Sequence, residues 1–256
     1  METAAVYKKK FLVFDRLNLL GASMKGPLVE NGLKSNIFNM SIPVRHDITI
    51  EKLAMYFNTY YAKPKANLSF LNMENYNHYQ TAVIAFPVRL SSNINSTNAC
   101  YGYSFIGILA EVRPFDVVLG TDKAFQCIAL PDSIKFSQKQ WYALRDLLKE
   151  SDVKTYFHCY FNERKKQYCS GLLVQISDIN TISSFKSLLL ILSFFKKSGI
   201  KLKFSKLFDL AVGTKKVREF LEGLLGKYDL EMTVNKHLHD FFSRHRQYSC
   251  TALIHI

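Results

Sequence analysis

Val153 to Ile176 constrains the fold more than any other stretch, because it reads as a single β-hairpin. Val153-Lys-Thr-Tyr-Phe-His-Cys-Tyr-Phe161 alternates with a period of two. Val153, Thr155, Phe157, Cys159 and Phe161 fall on one face; Lys154, Tyr156, His158 and Tyr160 fall on the other. The turn, Asn162 to Lys166, is polar and basic. The return strand turns Tyr168, Leu172, Val174 and Ile176 inward and leaves Gln167, Cys169, Gly171 and Leu173 outward. One face of the hairpin therefore belongs to a core. The other is a ladder of cation, phenol, imidazole and phenol. Bases of single-stranded nucleic acid stack on such ladders at about 1–3 kcal/mol per base. Strand tyrosines more often cover a second packing layer, and for the hairpin alone that is the more ordinary reading. The charge of the chain tips the balance.

Lys and Arg number 34 against 21 acidic residues, a formal charge of +13. Such a surplus points to a polyanionic partner, nucleic acid before an acidic membrane. With 256 residues, 48% of them hydrophobic, the chain can bury a core without staples and is not disordered. It reads as one globular domain over 1–256, with 1–10 a basic N-terminal arm ending in Tyr7-Lys8-Lys9-Lys10. The five cysteines (Cys100, Cys127, Cys159, Cys169, Cys250) form no CxxC and no even framework. They are expected as reduced thiols in an intracellular protein of the nucleus or cytoplasm. Asn39, Asn67 and Asn95 begin glycosylation-acceptor triplets of a kind that recurs by chance. No signal-peptide pattern precedes them, and no apolar run reaches membrane-spanning length. The wealth of Lys, Asn, Ile, Phe and Tyr reflects AT-rich codons, as in the genomes of large DNA viruses among other sources.

Along the chain, Phe11–Leu20 is expected as a strand, 21–32 as a glycine-marked loop and Ile37–Val44 as a strand. A helix follows from an Asp47 cap to Tyr61. Residues 66–79 mix Phe70, Tyr76, His78 and Tyr79 with asparagines, a loop whose rings could also stack bases. Thr81–Leu90 and Tyr101–Val112 read as strands, then Val117–Leu119 and Ala124–Leu130. Ser137-Gln-Lys-Gln140 is a capping box for a helix to Lys149 with a Trp141, Leu144, Leu147, Leu148 stripe. A helix from 178 or 180 to Lys197 is apolar nearly all round, so it is buried or docks on another subunit. A helix capped by Thr214, a short strand at Glu231–Val234, a helix over His237–Phe242 and a last strand from Gln247 complete the chain. The irregular order implies α+β, with a mainly antiparallel sheet or partly open barrel and several packed helices.

Three catalytic patterns can be weighed. Pro131-Asp132 followed by Asp152-Val153-Lys154 resembles the signature of metal-dependent nucleases with a Pro-Asp…Asp/Glu-x-Lys motif, which implies a divalent metal and a water-activating lysine. The helix between the two parts departs from that family's paired strands. His237, His239 and His245, near Cys250 and His255, lack zinc spacing and sit among Lys236, Arg244 and Arg246. Cys159 and His158 are adjacent on a strand and point apart. No cofactor loop is present. The chain therefore reads as a non-enzymatic, sequence-tolerant binder of single-stranded nucleic acid, DNA before RNA, serving replication or genome processing. Lys154, Tyr156, His158, Tyr160, Tyr76 and Tyr79 would form its ring-lined groove; Arg164, Lys165, Lys166, Lys201, Lys203 and Lys206 would meet phosphates. Homo-oligomers are expected, with no cofactor, metal or membrane partner. The alternatives are a metal-dependent nuclease and a host-antagonist interaction protein.

Overall fold

The computed structural model describes residues 1–35, 39–76 and 90–248. In chain order these form α1 (Glu2–Val6), β1 (Lys10–Phe14), β2 (Lys25–Leu28), β3 (Pro43–Arg45), α2 (Ile50–Tyr60) and β4 (Asn67–Leu71). Then come α3 (Thr97–Tyr103), α4 (Ile106–Leu109), β5 (Val112–Arg113), β6 (Cys127–Pro131), α5 (Gln138–Lys149), β7 (Lys154–Asn162) and β8 (Gln167–Gln175). The chain continues with α6 (Ser184–Lys197), β9 (Lys203–Phe204), α7 (Phe208–Val212), α8 (Lys216–Glu222) and α9 (Lys227–His245). The fold is α+β, with mainly antiparallel pairing and, among the described residues, no closed barrel. Of the described sheets the antiparallel β6-β8-β7 is the largest, and β1 pairs with β4 in parallel.

The hairpin forms, with Lys154 opposite Gln175 through to Asn162 opposite Gln167, but Phe157, Cys159 and Phe161, expected on the core face, are exposed. Leu172, Val174 and Ile176 face the core, where α5 packs against β7 and β8. The α5 capping box is present: Gln140 N–H donates to Ser137 Oγ, and Ser137 N–H donates to Gln140 Oε1 at 2.8 Å. Trp141, Leu144 and Leu148 recur on one side of that helix and are buried. The α6 helix buries Leu188, Ile191, Leu192 and Phe195 in the core and leaves Lys186, Lys196 and Lys197 exposed.

Several expectations are corrected. Tyr101–Val112 is two short helices, α3 and α4, and then β5. Phe105, Ile106 and Leu109 are sealed in the core, and burial outweighs their strand propensity. Gly102 is required there, since a Cβ would run into the Phe125 carbonyl. Glu231–Val234 lies inside α9. The α2 helix starts after Thr49 rather than Asp47. The N-terminal arm is α1 and the start of β1, and 21–32 contains β2. Residues 81–89 of the expected Thr81–Leu90 strand and most of the last strand lie outside the described residues, as does Tyr79. Among the described residues, no helix is long and apolar enough to cross a membrane.

Candidate active site

In α/β architecture, ligand groups gather beyond the carboxyl ends of parallel strands, where backbone N–H groups and loop side chains converge. Here that place is the end of β1. Asp15 follows the strand directly, and its N–H donates to the Leu71 carbonyl at the end of β4, 2.9 Å away. Its Oδ1 accepts the N–H groups of Arg16 and Glu51, both at 2.9 Å. Glu51 stands in the first turn of α2, so the helix N-terminus is aimed at the Asp15 carboxylate. Burial, then the neighbouring Asp15 charge, raises the Glu51 pKa above its ordinary value. Two carboxyl groups thus sit together with different surroundings, the arrangement that divides acid and base roles.

The loop around them is stitched down. Asn18 Nδ2 donates to the His46 carbonyl at 2.6 Å, and its Oδ1 accepts the Leu20 N–H. Asp47 and Thr49 are buried beside it. Burial lowers the His46 pKa despite nearby Asp47, so this ring is neutral at pH 7. Arg45 is 2% exposed and donates to the carbonyls of Leu20, Ile179 and Ile182 and to Ser184 Oγ. Burial pulls its pKa down to about 10, so it keeps its charge.

The residues expected to bind nucleic acid do not share a furrow. Tyr156 is exposed, but Tyr160 closes over Val118, Cys127, Ala129 and Cys169, and its hydroxyl donates to Asp116 at 2.7 Å. The second face of the hairpin is thus covered at that end by the segment around Asp116, which bridges to Ala129. His158 stacks on Tyr160, with ring centroids 5.4 Å apart. Lys165 is held by Asp116, Lys166 by Glu163, and Arg164 lies over Gly120. Tyr168, expected inward, is exposed and meets Phe161 edge-on. Lys154 is exposed at the far end of the sheet; Lys201, Lys203 and Lys206 surround β9 in a separate sheet; Tyr76 follows β4 in the loop at 72–76.

The nuclease pattern is dispersed as well. Asp132 accepts Ser170 Oγ–H, whereas Lys154 pairs opposite Gln175, several residues along β8. At about 3.3 Å per residue this separates them by roughly 17 Å along the sheet. Asp132 instead borders a cleft of about 270 Å³ with Lys135, Phe136, Trp141 and Ser170. Among the described residues, no group of three His, Cys, Asp or Glu could hold a metal ion.

Asp15 falls inside the Phe11–Leu20 strand and Glu51 inside the Asp47–Tyr61 helix expected from the sequence, and neither pattern sets them apart. An acid placed directly after a short apolar strand, at the start of a loop, is the signal that could have found the site.

The solved structures most informative for this arrangement are two DUF1343 family proteins of Bacteroides fragilis. BF0371 is 23% identical with a TM-score of 0.80; BF0379 is 21% identical with a TM-score of 0.74. Each match covers 97% of this chain and 68% of the other. No curated protein matches the chain. The fold is thus that of the DUF1343 proteins. Residues 1–98 match the N-terminal domain, and residues 101–250 the C-terminal domain, of the exo-β-N-acetylmuramidase NamZ family. The chain belongs to that family. Membership overturns the expected nucleic-acid binder, the viral replication role, the non-enzymatic reading and the single-stranded partner, because the family is one of glycosidases.

Proposed function

We propose that this chain is an exo-acting glycosidase that removes a β-linked N-acetylmuramic acid residue from the end of a glycan. The observation that carries the reading is the pair of family matches, which together span nearly the whole chain. The carboxyl pair supports it. Hydrolysis of a glycosidic bond asks for one carboxylic acid that protonates the leaving oxygen and one carboxylate that acts from the other side. Glu51, with its raised pKa, suits the acid; Asp15, fixed by two N–H donors, suits the second role. The basic surplus also finds a use, since muramic acid carries a carboxylate that a positive field attracts.

The test is release of nitrophenol from its β-N-acetylmuramide, compared with its β-N-acetylglucosaminide. Release from the muramide that is strongly lowered, but not abolished, in Asp15→Asn supports the reading. Equal rates on both sugars, or full activity of Asp15→Asn, refutes it.

A further inference from the structure

Pro131-Asp-Ser-Ile-Lys135 joins the end of β6 to the cap of α5. The Ile134 N–H closes a turn on the Pro131 carbonyl at 2.9 Å, and the Asp132 N–H ties that turn to β8 through the Tyr168 carbonyl at 3.0 Å. Between the turn, β8 and the start of α5 lies the cleft of about 270 Å³. Pockets for drug-sized ligands run to about 300–1,000 Å³, so this one suits a smaller molecule. Its lining includes neither Asp15 nor Glu51.

Two opposite charges, Asp132 and Lys135, line the cleft, and both are exposed. Among the described residues, neither enters an ion pair, with the other or with a third group. Asp132 Oδ1 accepts from Ser170 Oγ at 2.7 Å, and an ionised carboxylate has further lone pairs to offer. Trp141 is only 6% exposed and packs steeply against Phe136 and Phe195, with ring centroids 4.6 and 5.7 Å apart. It closes the back of the cleft rather than offering an open platform on which a sugar ring could stack. A carboxylate and an ammonium that share a cleft but not each other are both satisfied by one molecule that brings the two opposite charges, each through a charge-assisted hydrogen bond.

We propose that this cleft binds a small zwitterion of the α-amino acid class. Its carboxylate meets Lys135, its ammonium meets Asp132 and Ser170 Oγ, and its side chain lies against Ile134 and Phe136. The proposal stands on the cleft and its charges, not on the glycosidase reading.

Trp141 is the chain's single tryptophan, so its emission reports on this cleft directly. The test titrates the full chain with L-alanine, L-leucine and L-alanyl-L-alanine, each beside its N-acetyl and amide forms, and with N-acetylmuramic acid. The expected result is a saturable change in emission with a free zwitterion, at a Kd of about 1 mM. Blocking either charge of the ligand weakens binding about tenfold or more, and Lys135→Gln and Asp132→Asn do the same. Circular dichroism checks folding, and Lys135→Gln, in the exposed turn, carries the test if Asp132→Asn does not fold. Tighter binding of the dipeptide assigns the site to a peptide end; tighter binding of alanine or leucine assigns it to a free amino acid. No saturable change with any of the three, equal binding of the blocked forms, equal binding of N-acetylmuramic acid, or unchanged affinity in the folded variants overturns the proposal.

Discussion

Asp116 offers the sharpest test of what holds the three-stranded sheet and its cover together. Its side chain is 3% exposed. Four donors converge on it: Tyr160 Oη at 2.7 Å, Asn162 Nδ2 at 2.6 Å, Lys165 Nζ at 2.9 Å and the Val118 N–H at 2.8 Å. Burial alone would raise its pKa; Lys165, Tyr160 and Val118 reverse that and hold it below the ordinary carboxylate value. Asp116→Ala strands the Tyr160 hydroxyl and the Val118 N–H, while Lys165 and Asn162 can turn to water. At about 1–3 kcal/mol for each stranded donor, the loss is about 4 kcal/mol. For a chain of this length that lowers Tm by about 8–16 °C. Thermal and denaturant unfolding followed by circular dichroism measure it. The pH dependence gives an independent sign. A depressed folded pKa contributes stability that is full above the unfolded value, about 3.9, and is lost as pH falls through the folded one. The acid limb should therefore flatten in Asp116→Asn. A loss under about 1 kcal/mol in Asp116→Ala, or an unchanged acid limb in Asp116→Asn, would refute the reasoning.

Other outcomes follow from the same structure. Glu51→Gln should lower kcat/KM by about 10²–10⁴ on a β-N-acetylmuramyl disaccharide, whose leaving sugar oxygen needs a proton, and much less on the nitrophenyl muramide, whose leaving group departs as the anion. Because the Glu51 pKa is raised, activity should fall as pH rises through it, and the residual activity of Asp15→Asn should show that limb at lower pH, with one raising charge gone. Gly171→Ala should cost about 2–3 kcal/mol in denaturant unfolding, because its Cβ would meet the Ile128 carbonyl and Ala129 across the ladder. Ser137→Ala, which removes half of the α5 capping box, should cost about 1 kcal/mol by the same measurement.

Where local chemistry decides a structure, the sequence is legible. Ser137 and Gln140 specify the start of α5 by their own hydrogen bonds, and the alternation of 153–176 specifies the hairpin. Where tertiary packing decides, it is not. Tyr101–Val112 has the residues of a strand, but Gly102 and the sealed Phe105 and Ile106 let short helices press against the segment at Phe125. The alternation also ranks the hairpin faces correctly at Leu172 and Val174, yet it cannot show that a distant Asp116 roofs Tyr160. The proposed carboxyl pair was illegible for a related reason. Asp15 and Glu51 lie 36 positions apart, and only the closure of the β1 loop on α2 brings them together. The positive charge was legible as attraction to anions, but charge alone does not distinguish a polynucleotide from an acidic sugar.

Arg45 has a consequence for anyone who would cut this chain between its two family-matched portions. Its guanidinium belongs to the first portion, yet the carbonyls of Ile179 and Ile182 that accept from it belong to the second. Expressed alone, the first fragment would leave that cation with the Leu20 carbonyl but without the partners from Ile179, Ile182 and Ser184, and the second would keep a socket with no plug. The two pieces should therefore recover native structure only when produced together.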